Sequence, residues 1–312
     1  IKKLEREIQK LNWELEGIRK ATDDVLWFQR LSDIAEVDKV AYVGPPNPKR
    51  TETYGIANSR VPMRVYQYVF VPRKLDRTKK HPLLVLPHGG THADFTTYHA
   101  HIIREMMARG YVVVAPEYRG STGYGKEFYD AADYGGLEID DVVAGRDWAV
   151  ENLPFVDGNR AAMVGWSHGG LIALMAVFDH PGKFKAAYAG VPVSDLLARL
   201  GYAGDEYKDE AMLRGLFGKT ATEDVDRFRQ RSPVWNVQKL KTPMLIHTST
   251  NDQDVSSVEV EQLINALKAA GKTFDFKIYK DAPGGHSFNR IDTALAKESR
   301  QEIYDFLAKH LK

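Results

Sequence analysis

The fold is decided by the segment Ala161-Ala162-Met163-Val164-Gly165-Trp166-Ser167-His168-Gly169-Gly170, which runs directly into an apolar helical pattern. An apolar strand, a Gly-x-Ser-x-Gly turn and a helix in this order are typical of a nucleophile elbow. Glycine is needed beside the serine because the turn brings backbone segments together and leaves no room for a Cβ. The helix that follows favours negative charge at its N-terminus. We therefore predict that Ser167 is a catalytic nucleophile.

Outward from this turn, short apolar runs alternate with helical patterns. Such runs are typical of strands buried on both faces, and the alternation predicts a doubly wound, mostly parallel α/β sheet with flanking helices. The predicted strands are 63–72, 83–86, 111–115, 161–165, 186–189, 244–247 and 274–279. The predicted helices are 99–108, 137–152, 168–179, 257–270 and 291–311. Residues 196–232, rich in charge and glycine, interrupt the pattern and are expected to form an insertion or lid.

A serine hydroxyl needs a general base, and the base needs an orienting acid, because the hydroxyl is a weak nucleophile at neutral pH. In proteins with this turn, the acid and then the histidine follow the serine along the chain. His286 is the favoured base because it lies in a glycine loop directly after the strand predicted at 274–279. His180 and His247 instead fall at a helix end and inside a buried strand.

The acid is expected after the strand at 244–247, where residues 248–255 read Thr-Ser-Thr-Asn-Asp-Gln-Asp-Val. Asp252 and Asp254 both qualify, and spacing alone does not separate them. Asp254 is the better placed to cap the helix that begins near Ser256. We therefore favour Asp252 as the acid, with Asp254 as its rival.

An oxyanion hole needs two N–H donors. The backbone of His168, directly after the nucleophile, is expected to supply one of them, and the loop containing His88 and Gly89 is expected to supply the other. The neighbouring His92, His99 and His101 raise the alternative of a metal site, but their spacing fits no known ligand pattern. We predict neither a metal nor any other cofactor.

The composition and charge of the chain limit the kinds of binding partner and the cell compartment that we expect for it. Lys and Arg total 43 against 42 acidic residues, so the net charge is only +1. The chain therefore lacks the excess of positive charge that is typical of proteins that bind nucleic acid. No apolar run reaches the ~20 residues needed to span a bilayer. The chain has no cysteine and begins with Ile1, so a periplasmic or secreted protein is favoured over a cytoplasmic one.

Residues 1–50 are predicted to be a helical N-terminal extension and linker, and residues 51–312 the catalytic domain. Within the extension, apolar residues follow the alternating three- and four-residue spacing of a heptad repeat: Ile1, Leu4, Ile8, Leu11, Leu15 and Ile18. One interpretation is a short coiled coil that joins two copies into a homo-oligomer. The favoured interpretation is an amphipathic helix that lies on its own domain, because three heptads are short.

Several motifs, in a fixed order over about residues 52–312, resemble the catalytic domain of the prolyl-oligopeptidase family of serine hydrolases. They are the turn at Ser167, the His-Gly-Gly loop at 88–90, the segment 118–125, Ser232-Pro233, the strand 242–247 and the Pro-Gly-Gly-His-Ser-Phe segment 283–288. The resemblance implies an α/β-hydrolase fold. It places the catalytic Asp three residues before a Val, which selects Asp252, and an oxyanion donor at His88.

The family's β-propeller normally precedes the catalytic domain, whereas only about 50 residues precede it here. By the resemblance, the substrate pocket is expected to include Trp166, Leu196, Leu197 and Tyr124. Leucines stand where proline-specific members place aromatic residues, so a pocket that stacks on proline is not expected. Related hydrolases without a propeller often act on carboxylic esters.

The favoured function is therefore a serine esterase that works through an acyl-enzyme. A serine peptidase or aminoacyl hydrolase with the same triad is the alternative, so the substrate is a small ester or a short peptide. A third hypothesis, from another class, is a binding protein that uses the hydrolase scaffold without catalysis.

Overall fold

A computed structural model describes residues 2–49 and 60–311, and its centre is one eight-stranded sheet. The strands are β1 (Ala35–Pro46), β2 (Pro62–Pro72), β3 (His81–Val85), β4 (Val112–Glu117), β5 (Val156–Trp166), β6 (Ala186–Gly190), β7 (Met244–Ser249) and β8 (Asp275–Tyr279). Their order across the sheet is β1-β2-β4-β3-β5-β6-β7-β8. The pairs β1/β2 and β2/β4 are antiparallel, and the other neighbours run parallel.

Helices cover both faces of this sheet. They are α1 (Lys2–Leu31), α2 (Ala100–Ala108), α3 (Lys126–Asp130), α4 (Leu137–Asn152), α5 (His168–Asp179), α6 (Leu196–Tyr202), α7 (Glu210–Phe217), α8 (Val225–Gln230), α9 (Ser257–Ala269) and α10 (Ala294–Leu311). Helices α4, α5 and α9 share a core with one face, and α1, α2 and α10 share a core with the other. A helix that is apolar all round must be buried, and α5 is buried along almost its whole length.

The chain therefore has the α/β-hydrolase fold. Each predicted strand and helix is present, with ends that differ by a few residues. Because the central strands are parallel, their carboxyl ends lie at one edge of the sheet, where the loops that follow β3, β5, β7 and β8 meet.

Residues 35–46 were expected to belong to the helical extension and its linker, but they form β1, which pairs with β2 along its length. This edge strand alternates buried and exposed positions and carries charged residues, so it lacks the apolar run that identified the inner strands. The predicted domain boundary between residues 50 and 51 lies outside the described residues.

Helix α1 packs on its own domain, as favoured, but through the face opposite the heptad residues. Lys20, Trp27 and Leu31 are buried on the inner face. The heptad residues Leu4 to Ile18 are exposed instead, and Ile1 lies outside the described residues. Among the described residues, no helix combines the length and apolar composition that a bilayer crossing requires.

Candidate active site

Ser167 occupies the turn between β5 and α5 in a backbone conformation that few residues other than glycine adopt. Its φ is 59° and its ψ is −123°. A Cβ on Gly165 would lie 2.0 Å from the carbonyl oxygen of Gly169, so the turn closes only with glycine there. The Ser167 N–H donates to the Gly190 carbonyl oxygen at 2.9 Å. Such strain persists only where the surrounding structure fixes it, as it does at many active sites.

His286 and Asp252 come together from two loops at the same edge of the sheet. His286 Nδ1 lies 2.8 Å from Asp252 Oδ2 and 3.0 Å from Oδ1. Asp252 Oδ1 also accepts the backbone N–H groups of Asp254 and Val255, each at 2.9 Å. A buried carboxylate held in this way orients the imidazole through Nδ1 and leaves Nε2 for the substrate side.

Asp254 lies on the other side of the same imidazole. Its Oδ2 is 3.6 Å from His286 Nε2, while its Oδ1 accepts from Arg199 Nη2 at 2.7 Å. Arg199 and the attraction of His286 hold the pKa of Asp254 below its usual value, although burial acts to raise it. The side chain that caps the following helix belongs to Ser256. The two aspartates thus have separate contacts, and only Asp252 bonds to Nδ1.

A cavity of about 310 Å³ opens between these groups and contains both Ser167 and His286. Within the described residues, no hydrogen bond joins Ser167 Oγ to His286 Nε2. In enzymes without substrate, catalytic hydrogen bonds are often long and tighten only when the substrate binds. The arrangement is that of a nucleophile, a base and an orienting acid around one accessible space.

The His-Gly-Gly loop lies against the nucleophile through its backbone. A Cβ on Gly89 would be 3.3 Å from Ser167 Cβ and 3.9 Å from its Oγ. The His88 ring is buried, and both of its nitrogens have hydrogen-bond partners. Nε2 lies 2.8 Å from Ser121 Oγ, and Nδ1 lies 3.0 Å from the Gly89 carbonyl oxygen. Burial lowers the pKa of His88 to about 3, so its ring is neutral. Of the three residues expected at the oxyanion hole, the His88 side chain is therefore engaged elsewhere, which leaves the backbone N–H groups of Gly89 and His168 as the candidates.

A buried ion network supports this loop from the helix α1 side. Lys20 Nζ donates to Glu117, to Asp94 Oδ2 at 2.9 Å and to the Phe95 carbonyl oxygen at 3.0 Å. Glu117 also lies 3.5 Å from His88 Nε2. Burial raises the pKa of Glu117 to about 7, against the attraction of Lys20. Burial acts to lower the pKa of Lys20, but its two carboxylate partners hold it above the usual value.

Three of the four residues expected in the substrate pocket lie away from the cavity, and Leu196 lies beside it. Trp166 is buried in the core against Tyr188, with ring centroids 5.5 Å apart. Leu197 packs beside the core, whereas Leu196 lines a small apolar pocket that shares Tyr134, Arg199 and Tyr207 with the cavity. Tyr124 stacks on Tyr66 at 4.8 Å.

Other side chains line the cavity, and most of them belong to no motif that would identify them in the sequence. Arg199 and Tyr207 come from the segment 196–232, which forms α6, α7, α8 and short 3₁₀ turns between β6 and β7. Tyr134 and Tyr98 add aromatic surface. Arg290, four residues after His286, is buried and donates to the His286 carbonyl oxygen. Only tertiary structure brings these separate segments together.

The histidines considered as metal ligands have other contacts. The His92 ring stacks on Tyr129 with centroids 3.6 Å apart, and the His99 ring stacks on Phe95 at 4.9 Å. Within the described part of the chain, no group of three or more His, Cys, Asp or Glu side chains could hold a metal ion.

Comparison with known proteins agrees with this geometry. The Uncharacterized peptidase YuxL of Bacillus subtilis (strain 168) is 31% identical over 223 residues, which are 70% of this chain and 33% of that protein. An Acylamino-acid-releasing enzyme of Arabidopsis thaliana is 29% identical over 235 residues, or 72% of this chain and 30% of that protein. This chain thus spans about a third of the length of these curated relatives.

Solved structures give the same fold. The uncomplexed acylaminoacyl peptidase of Pyrococcus horikoshii superposes with a TM-score of 0.74 at 20% identity, covering 90% of this chain and 43% of that one. A model of the prolyl oligopeptidase family matches residues 97–312. Because that match covers most of the chain and includes Ser167, Asp252 and His286, the chain belongs to the prolyl oligopeptidase family.

Proposed function

We propose that this protein is a serine peptidase that cleaves amide bonds in short peptide substrates. The observation that carries the proposal is the cavity where strained Ser167 and the His286–Asp252 pair meet. Membership of the prolyl oligopeptidase family supports an amide substrate, as do a relative named as a peptidase and another named as an acylamino-acid-releasing enzyme.

In the proposed reaction, Ser167 Oγ attacks the carbonyl carbon while His286 Nε2 takes its proton. Asp252 stabilises the imidazolium through Nδ1. The N–H groups of Gly89 and His168 stabilise the developing oxyanion. The imidazolium then protonates the leaving amine, which departs and leaves an acyl-enzyme. Water, deprotonated by the same histidine, releases the acid and restores the serine.

Carboxylic esters, which the sequence analysis favoured, are the second substrate class. An ester forms the same acyl-enzyme, so the triad alone does not discriminate between the two bonds. The ester expectation rested on the resemblance to hydrolases without a propeller, and Leu196 and Leu197 argued only against a pocket that stacks on proline. The named relatives are peptidases, so we place amide cleavage first and expect activated esters to be turned over as well.

The test compares kcat/KM on p-nitroanilides and p-nitrophenyl esters that carry the same acyl groups. We expect hydrolysis of both, with a loss of about 10⁴-fold or more in Ser167→Ala. Ser32→Ala, at an exposed serine, is the control that keeps full activity. Ester turnover without anilide turnover would replace the peptidase proposal with the esterase. Turnover of neither substrate would favour the binding protein.

A further inference from the structure

Helix α1 carries two stripes with the same seven-residue period on opposite faces. Trp13, Lys20 and Trp27 form the inner stripe. Lys20 and Trp27 are buried, and Trp13 packs edge-on against Tyr129 at 5.1 Å. The outer stripe consists of Leu4, Ile8, Leu11, Leu15 and Ile18. In heptad notation the inner residues take position f and the outer ones positions a and d, which point in opposite directions.

The outer stripe has no partner within the described part of the chain. Its five side chains are between 46% and 64% exposed, and every residue from 2 to 12 is exposed. In proteins, most of the stability of a helix comes from packing of its apolar face and less from the helix propensity of its residues. A continuous apolar stripe on a projecting helix marks an interaction surface, whereas single exposed apolar residues do not.

We propose that the outer stripe of α1 binds the same stripe of a second copy, forming a parallel two-stranded coiled coil. The a/d spacing is self-complementary, since each apolar side chain would fill a hole between four residues of the facing helix. The domain does not obstruct this pairing, because it packs on the opposite face of α1.

The flanking charges select the parallel orientation. Position g pairs with position e five residues further along the facing helix in a parallel coiled coil. Glu14 at position g would therefore form an ion pair with Arg19 at position e of the second copy, and symmetry would form the pair twice. Both residues are exposed in the single chain. An antiparallel pairing that overlaps the stripe along its whole length places g positions beside each other, so Glu7 of one copy would face Glu14 of the other. Like charges there would repel.

The first experiment measures mass by light scattering after size exclusion over a range of concentrations. We expect twice the mass of one chain at high concentration and dissociation on dilution, because three heptads make a small interface. Leu11→Glu should give a monomer at all concentrations, with unchanged circular dichroism and hydrolysis, since Leu11 is exposed in the single chain. Gln9→Glu, which adds the same charge at another exposed position, should remain a dimer.

The absence of cysteine allows a direct test of orientation. Position d side chains face their own copies in a parallel, in-register coiled coil, within the Cα separation of ~4.4–6.8 Å that a disulfide requires. Leu11→Cys should therefore form a disulfide-linked dimer on mild oxidation, and Gln9→Cys should not. A monomeric wild type, or a dimer that survives Leu11→Glu, would overturn the interface. Dissociation by Leu11→Glu without cross-linking of Leu11→Cys would overturn the parallel orientation.

Discussion

Two aspartates flank the imidazole of His286, and at the residue scale their contacts assign them different roles. Asp252 bonds to Nδ1 and is held by two backbone N–H groups. Asp254 faces Nε2 from 3.6 Å and is held by Arg199. In a serine triad the acid must orient Nδ1 and stabilise the imidazolium.

We expect Asp252→Asn to lower kcat about 10⁴-fold, because the amide favours the wrong imidazole tautomer. Asp254→Asn is the matched control. It keeps an oxygen for Arg199, and its effect on kcat should stay within about tenfold, the equivalent of ~1.4 kcal/mol. Steady-state kinetics on one anilide substrate checks both variants. A larger loss in Asp254→Asn than in Asp252→Asn would reverse the assignment.

The sequence identified the three side chains that the structure brings together at the nucleophile turn better than it identified the residues that line the cavity. Ser167, Asp252 and His286 lie in short motifs whose glycines and spacing indicate their positions. Trp166 was wrongly expected in the pocket because adjacency to Ser167 does not reveal which way a side chain points. Arg199 and Tyr207 were missed because they reach the cavity only through the packing of α6 and the turn after it.

At the scale of elements, helix α1 is linked to the His-Gly-Gly loop by the buried cation Lys20. Lys20 compensates the charge of Glu117, which is buried beneath the loop. It also donates hydrogen bonds to Asp94 and to the carbonyl oxygen of Phe95. Removing one member of a buried ion pair leaves an uncompensated charge. The position of Gly89 beside Ser167 therefore depends on a residue far from it in sequence.

We expect Lys20→Met to lower kcat by up to about 10²-fold, the effect of a small misplacement of catalytic groups, with a smaller change in KM. The double variant Lys20→Met/Glu117→Gln should recover much of the loss, because it removes the uncompensated charge. Lys39→Met is the control, since Lys39 pairs with Asp24 away from the loop. An unchanged kcat in a folded Lys20→Met would contradict the coupling.

The same network predicts a pH dependence of stability. The pKa of Glu117 in the folded protein, about 7, lies above its ordinary value of 4.5. The contribution of Glu117 to the free energy of unfolding is therefore fully present below pH 4.5 and is lost as the pH rises through 7. Urea unfolding of wild type relative to Glu117→Gln should show this decline, by at most ~1.4 kcal/mol per pH unit for one proton. A difference that grows with rising pH would contradict it.

Strands and helices differed in how well the sequence predicted them. The inner strands are continuous apolar runs because both of their faces are buried, as in β4. The edge strand β1 was missed because it carries Glu36, Asp38 and Lys39 among its apolar residues. In α1 the heptad residues were recognised, but their assignment to the domain face was wrong. The seven-residue period of Trp13, Lys20 and Trp27 is the signal that identifies the inner face.

At the scale of the whole molecule, the sheet brings the segments of the site to one edge. The two faces of helix α1 have different roles. The inner face supports the His-Gly-Gly loop, and the outer face, which no other described residue covers, is the proposed contact with a second copy. The α/β-hydrolase fold was predictable because alternating apolar runs and helices permit few arrangements. Pairing between copies was only one of two open interpretations, since the same heptad pattern fits either kind of contact.

The most direct test of the central claim is to trap the nucleophile with a fluorophosphonate probe, which reacts only with an activated serine. Mass mapping of the labelled protein should place one adduct on the peptide that contains Ser167, and peptidase turnover should fall in proportion to labelling. Ser167→Ala should take up no probe. Turnover that persists after complete labelling, or an equal adduct in Ser167→Ala, would contradict the role of Ser167.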